Sequence, residues 1–133
     1  MSNTLNDIAE KKAQILHELR TPLNVILGYS EMIMEETQSL PDQTAASALR
    51  KIAHAGETVA KLINQYVDQL MNSTNGGSGD GRGIMLNKIM DSINQIRGFT
   101  ELLRKCDLTE ESSRDLDAIT IASKKFEDLI RNL

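Results

Sequence analysis

The sequence predicts an all-α protein, a four-helix bundle made of two helical hairpins in one chain. Of its 133 residues 40% are hydrophobic, yet only 3% are aromatic and none is Trp. There are only two prolines, and apolar residues recur at three- and four-residue steps in four separate segments. An aliphatic core with this period is typical of helices rather than sheets. A single hairpin leaves its apolar stripe uncovered, so we expect two hairpins to pack together.

The first hairpin is predicted at residues 1–72. Its first helix should run from about Thr4 to about Gln38, and a turn at 39–42 should lead into a second helix that ends near Asn72. The prediction rests on two apolar stripes of helical period. They are Leu5, Ile8, Ile15, Leu19, Leu23, Ile26 and Ile33, followed by Leu49, Ile52, Val59, Leu62, Tyr66 and Leu70.

Residues 73–83 are predicted to be a flexible linker without helix, because five of the eight glycines fall there. A second hairpin at 84–133 follows, and both hairpins should share one core. Its last helix should begin after Thr109, which has the side chain of an N-cap and is followed by Glu110 and Glu111. The order is therefore hairpin, linker, hairpin.

The two hairpins also resemble each other. At an offset of 70 residues, the string Asn-x-Ile-x-Gly-aromatic-hydroxyl-Glu beginning at Asn24 recurs at Asn94. The second helices match at an offset of 67, where Leu49 and Ile52 meet Leu116 and Ile119. This repetition predicts an internal duplication. The chain should then be a monomer whose two halves form a pseudo-dimer.

Composition excludes several classes of function. The formal net charge is −4 and the pI about 5.2, without a basic cluster, so we expect no nucleic-acid partner. No apolar run reaches the ~20 residues of a membrane span, and residues 1–11 are too polar for a signal peptide. Cys106 is the single cysteine, which excludes an intrachain disulfide and a multi-cysteine metal site. The predicted location is the cytoplasm.

The candidate reactive residue is His17. It lies about 200° around the helix from Ile15, so we expect its side chain to face solvent. A lone surface histidine usually has no role, but two neighbours are unusual. Thr21 follows one turn later on the same face, and Pro22 stands in mid-helix, where proline costs roughly 3 kcal/mol. A proline at this energetic cost in mid-helix suggests a functional site.

The segment at 16–24, LHELRTPLN, resembles the H-box of sensor histidine kinases, which belongs to the HisKA-type dimerisation and histidine-phosphotransfer domain. The segments ILGYSEMI and KIAHAGETVAKLIN are similar to the same family. The resemblance implies that His17 is the phospho-acceptor, that Glu18 orients or deprotonates its imidazole, and that Thr21 positions water for dephosphorylation of the partner. Pro22 would bend the helix, and Arg20 and Asn24 would have structural or docking roles.

The resemblance also implies the partners. The main one is the receiver domain of a response regulator, which brings its own Asp and Mg²⁺; an upstream histidine kinase is a second. The chain should need no cofactor or metal of its own. Because no ATP-binding domain is recognisable, we expect no self-contained kinase activity.

The second hairpin departs from the motif where the chemistry would lie. Asn87, Lys88 and Met90 stand opposite His17, Glu18 and Arg20, and Asp91-Ser92 replaces Thr-Pro. We therefore expect a degenerate second copy and one phosphohistidine per chain. His54 is expected to be an ordinary surface residue.

The predicted function is a histidine phosphotransferase of a two-component phosphorelay, with His17 exchanging a phosphoryl group with a receiver Asp. Two alternatives stay open on the sequence. One is a dimerisation and phospho-acceptor fragment of a sensor histidine kinase. The other is a non-catalytic scaffold that binds a receiver.

Overall fold

The structure is a computed structural model that describes residues 4–37, 43–71 and 79–133. Within these residues it consists of four helices and short turns. The helices are α1 (Thr4–Thr37), α2 (Gln43–Met71), α3 (Gly79–Arg104) and α4 (Glu110–Arg131). The predicted all-α bundle of two hairpins is thereby confirmed. The predicted turn at 39–42 lies outside the described residues.

Each helix packs against two others around a closed ring. α1 contacts α2, α2 contacts α3, α3 contacts α4, and α4 returns to α1. Consequently α1 and α3 stand diagonally opposite each other, as do α2 and α4. Each helix of the first hairpin therefore has one neighbour in its own hairpin and one in the other.

The core is almost entirely aliphatic, as the composition predicts. It forms one cluster to which all four helices contribute, and Phe126 and Tyr66 are its buried aromatic residues. Burial of a Leu or Ile side chain is worth about 1.5–3 kcal/mol, so these stripes supply most of the drive for the helices to associate. The largest aliphatic side chains with almost no exposure are Leu19, Leu23, Ile26, Ile33, Leu49, Ile52, Ile63, Ile89, Ile93, Ile96 and Leu103.

Buried positions recur between the two hairpins at the offsets seen in the sequence. Every buried α1 position from Leu19 to Ile33 meets a buried α3 position 70 residues later, and every buried α2 position from Ala45 to Ile63 meets a buried α4 position 67 residues later. Even the buried hydroxyls correspond, since Ser30 and Thr100 both donate to carbonyls of their own helices. The two hairpins thus bury the same positions, whereas the duplication itself stays a prediction.

The predicted linker is wrong over its last five residues. α3 begins at Gly79, so residues 79–83 are helical and the second hairpin starts before residue 84. Each glycine costs a helix about 1 kcal/mol relative to alanine, but extending an existing helix adds one hydrogen bond per residue without a new nucleus. The stripe from Ile89 anchors that helix. Residues 73–78 lie outside the described part of the chain.

The start of the last helix follows the prediction. Thr109 is the N-cap of α4, and its side chain accepts a hydrogen bond from the backbone N–H of Ser112 at 3.0 Å. Glu110 and Glu111 occupy the first turn, where carboxylates stabilise the helix dipole. In the described parts of the chain, no helix combines the length and apolarity that a bilayer crossing requires.

Candidate functional site

His17 is exposed on the outer face of α1, about one turn before Pro22. The buried residues Leu16 and Leu19 fix the orientation of this turn, because both side chains belong to the core. The histidine is therefore held on a packed helix rather than a loop. Its side chain faces solvent, as predicted.

Thr21 lies over the same face as His17. Its hydroxyl donates to the backbone carbonyl of His17 at 2.9 Å, which fixes the oxygen one turn beyond the imidazole. A threonine hydroxyl has one donor and two acceptor lone pairs, so the acceptors stay available to a water molecule. Thr21 is exposed, and the two side chains form one continuous polar surface.

Pro22 lies inside α1, which continues through it to Thr37. The proline is buried, so its apolar ring is shielded from solvent like the side chain of a core residue. It has no N–H to donate to the carbonyl of Glu18, and one backbone bond of the helix is missing beside the histidine. A bend at this point stays a prediction.

The two flanks of the His17 face adjoin different hairpins. On one flank, Arg20 Nη2 donates to Oδ1 of Asn64 on α2 at 2.7 Å, and Lys12 forms an ion pair with Asp68 further along the same boundary. On the other flank lies Glu18. Eighteen residues are five full turns of an α-helix, so Glu36 shares the side of α1 that carries Glu18.

Glu36 contacts α4, where its carboxylate accepts hydrogen bonds from the hydroxyls of Ser112 and Thr109. The side of α1 that carries Glu18 is therefore the side that faces α4. The site is bordered by α2 of the first hairpin and by α4 of the second. Both borders belong to one chain.

Asn24 completes the motif. It is exposed and lies seven residues, nearly two full turns, after His17, so both are on one face. The structure thus places four exposed members of the motif around the histidine and one buried member beneath it. The exposed members are Glu18, Arg20, Thr21 and Asn24, and the buried one is Pro22.

The corresponding face of the second hairpin has a different chemistry. Asn87, Lys88 and Asp91 are exposed at the positions of His17, Glu18 and Thr21, and a buried serine, Ser92, replaces the proline. Met90, half-buried, stands where Arg20 does. The buried positions around this face match those of the first hairpin, but it offers no imidazole.

Two further charged groups lie away from His17. Glu127 on α4 is buried and forms ion pairs with Arg97 on α3 and with Arg131, the latter at 2.7 Å. Asp115 is also buried, and its Oδ2 has no hydrogen-bond partner among the described residues. Burial raises the pKa of the Asp115 carboxyl above its ordinary value of 3.8, and the nearby charge of Glu36 adds to the rise.

His54 is exposed on α2, as predicted, and the hydroxyl of Thr58 donates to its carbonyl at 3.0 Å. The local arrangement copies that of His17 and Thr21, but no proline follows. Among the described side chains, no group of three or more His, Cys, Asp and Glu residues could hold a metal ion.

The exposed histidine, its threonine and the proline lie in a segment that also matches a known family. Residues 13–70 match the His Kinase A (phospho-acceptor) domain. The first hairpin is therefore similar to the HisKA family over these residues. The match spans nearly the whole hairpin and ends before α3, so the similarity of the second hairpin to the family rests on its internal correspondence with the first.

Curated proteins are similar to the same part of the chain. The chain is 40% identical over 57 residues to the cell-division control histidine kinase PdhS of Brucella anthropi, which covers 42% of this chain and 5% of the kinase. It is 38% identical over 64 residues to PdhS of Brucella ovis, which covers 47% of this chain and 6% of the kinase. The chain therefore corresponds to a small part of these relatives. No solved structure matches it significantly.

Asn64 and Asp68 are the residues near the site that sequence reasoning missed. Both lie on α2 and bind α1 side chains of the H-box turn and the turn before it. The sequence does give their approximate position. In a hairpin whose turn is centred near residue 40, residue 20 on the first helix lies beside residues near 61 on the second. The sequence does not show which polar residue at that level turns toward α1.

Proposed function

We propose that the chain is a histidine phosphotransferase of a two-component phosphorelay, in which His17 exchanges a phosphoryl group with the Asp of a response-regulator receiver domain. One observation carries the proposal. His17 is exposed on a hairpin similar to the HisKA family, and the same chain supplies both helices that border it, α2 and α4. A separate second subunit is then not needed to complete the site.

The residues around His17 fit the chemistry. A lone pair of the imidazole attacks the phosphorus of the receiver's aspartyl phosphate, an N–P bond forms, and the P–O bond to the carboxylate breaks. The reverse step returns the phosphoryl group to the receiver. Phosphoryl transfer depends mainly on positioning and charge neutralisation, and the Mg²⁺ of the receiver supplies part of that charge.

Glu18 and Thr21 have distinct roles in this proposal. Glu18 is exposed and next to His17, so its carboxylate can orient the ring or accept the proton that the ring releases. The Thr21 hydroxyl, fixed by its bond to the His17 carbonyl, can accept a hydrogen bond from a water molecule. That water would attack the aspartyl phosphate of a docked receiver, which is the phosphatase reaction.

The second hairpin acts as the packing partner. It buries the same positions as the first but has Asn87 where the histidine would be. An amide nitrogen is not nucleophilic, so the proposal assigns one phosphohistidine to each chain. We infer a duplicated hairpin whose second copy kept its core and lost its reactive face, which makes the functional unit a monomer.

A fragment of a sensor histidine kinase is the second candidate. The family match and the PdhS relatives fit it equally well, because the HisKA hairpin is a part of those kinases. In that case α3 and α4 would not be needed, since the hairpins of two chains would complete the bundle. The presence of a second, packed hairpin favours the phosphotransferase. A scaffold that binds a receiver without accepting phosphate would leave the His17, Glu18 and Thr21 arrangement unused.

We place this function in the cytoplasm, with receiver domains as partners and an upstream kinase or a phosphorylated receiver as phosphate donor. The test is to mix the chain with a panel of receiver domains carrying ³²P-aspartyl phosphate. We expect acid-labile label to move to the wild-type chain and to His54→Gln, but not to His17→Gln. Binding without label would support the scaffold, and label on His17→Gln would overturn the assignment.

A further inference from the structure

Arg20 and Asn64 form a direct bridge beside the candidate phospho-acceptor. The guanidinium Nη2 donates to the side-chain oxygen of Asn64 at 2.7 Å, and Nδ2 of Asn64 donates to the carbonyl of Ala60 at 3.3 Å. The second bond sets the orientation of the amide, so that its oxygen points at α1. Asn64 is half-buried and therefore has a defined position on α2.

Burial of the core does not require this bridge. In the second hairpin Met90 stands at the position of Arg20 and Arg131 at that of Asn64, while the core residues beside them, Ile89 and Ile130, are as buried as their counterparts. The same core positions are thus buried with and without the bridge. Among the described residues, the bridge is present in the hairpin that carries the histidine and absent from the other.

The position of Arg20 suits a charge-neutralising role. It lies three residues after His17, which places it 60° around the helix and about 4.5 Å along it. A guanidinium has five N–H donors, and the bond to Asn64 uses one of them. An Arg–phosphate hydrogen bond is among the strong, charge-assisted kind, so the remaining donors suit a phosphoryl group on the neighbouring turn.

We propose that Asn64 is a positioning residue of the phosphotransfer site, which holds the Arg20 guanidinium beside His17 so that it neutralises charge on the incoming phosphoryl group. This inference rests on the proposed function. Without the Asn64 oxygen, the long Arg20 side chain would sample many rotamers in solvent. The Arg20 side chain would then have to become ordered at the moment of transfer, and the entropy lost would slow the reaction.

A small phosphoryl donor tests this without any receiver. Potassium phosphoramidate transfers its phosphoryl group to imidazole. The ring lone pair forms an N–P bond, the P–N bond of the donor breaks, and the amino nitrogen takes up the proton that the ring releases and leaves as ammonia. The rates of phosphohistidine formation at His17 and His54 are followed separately by peptide mass mapping. His54 is an internal reference, because it is exposed on the same protein and has no arginine at the corresponding position.

We expect Asn64→Ala and Arg20→Met each to slow labelling of His17 about tenfold and to leave labelling of His54 unchanged. The double variant should lose no more than either single variant, since both remove one interaction. Asn64→Asp keeps an acceptor for the guanidinium and should stay within about twofold of wild type. Arg131→Ala, at the position in the second hairpin that corresponds to Asn64, is the matched control and should have no effect.

The outcomes separate two failures. Wild-type rates in Asn64→Ala, or losses that simply add in the double variant, would overturn the positioning role alone. No reaction at His17 in the wild type would overturn the proposed function as well. Arg20→Met is expected to fold, because Met90 already occupies the corresponding position in the second hairpin. A thermal melt of each variant is compared with wild type.

Discussion

Glu36, near the end of α1, accepts hydrogen bonds from Ser112 and Thr109 at the start of α4, 76 and 73 positions away. Its carboxylate thus lies at the N-terminal end of α4, where a negative charge is stabilising. This contact joins the first hairpin to the second across the bundle. It also places a second carboxyl group, that of the buried Asp115, close to a negative charge.

We expect Asp115→Asn to stabilise the protein at pH 7. Asp115 is buried and its Oδ2 has no hydrogen-bond partner among the described residues, so an ionised carboxylate there is unfavourable. A neutral amide of the same shape removes the buried charge and should raise the free energy of unfolding by about 1 kcal/mol. Asp117→Asn is the matched control, because Asp117 is exposed and paired with Arg104 at 2.9 Å. A less stable Asp115→Asn protein would contradict this reasoning.

The same residue predicts a pH dependence. Because the pKa of Asp115 is raised in the folded state, its proton stabilises the fold fully below the ordinary value of 3.8 and this contribution is lost as pH rises through the folded-state pKa. Between about pH 4 and pH 7, the free energy of unfolding measured with urea should therefore fall in wild type relative to Asp115→Asn. A difference in the free energy of unfolding between the two proteins that stays constant over this pH range would contradict the prediction.

Two glycines of the first hairpin should respond differently to alanine. Both lie in helices, where alanine is favoured by about 1 kcal/mol. A Cβ at Gly28 would meet no atom within 4 Å, whereas a Cβ at Gly56 would lie 2.9 Å from Cδ2 of Leu27. Gly28→Ala should therefore gain most of that energy and Gly56→Ala should gain less or lose stability. Equal changes in the midpoint of urea unfolding would show that Leu27 moves without cost.

Restoring the histidine alone should not create a second site. Asn87→His would place an imidazole on the α3 face, but without Glu18, Arg20 and Thr21 counterparts around it. After transfer from a phosphorylated receiver, intact mass should show one phosphoryl group per chain in both wild type and Asn87→His. Two groups on the variant would show that the second face still docks a receiver.

The helices and the His17 face could be predicted because both depend on local pattern. A stripe such as Leu19, Leu23 and Ile26 fixes which side of α1 is buried, and the opposite side, with His17 and Thr21, must then be exposed. The N-cap at Thr109 follows from its side chain and its neighbours. Each of these needs only the period of a helix.

The misses have a different physical origin. The start of α3 at Gly79 depends on propagation from the residues that follow, which a count of glycines ignores. The Arg20–Asn64 bridge and the contact of Glu36 with α4 depend on which polar side chain of a neighbouring helix lies at the same level. That level is set by three-dimensional packing of the bundle, which helical period alone does not specify.

Native mass spectrometry of the chain after incubation with a phosphorylated receiver reports assembly and phosphoryl count together. If one chain supplies the whole bundle and a single reactive histidine, the spectrum should contain a 14.8 kDa monomer that carries one phosphoryl group, and His17→Gln should carry none. A phosphorylated dimer of twice that mass would indicate a kinase-type dimerisation module. An unmodified monomer, with every receiver of the panel still loaded, would contradict phosphotransfer itself.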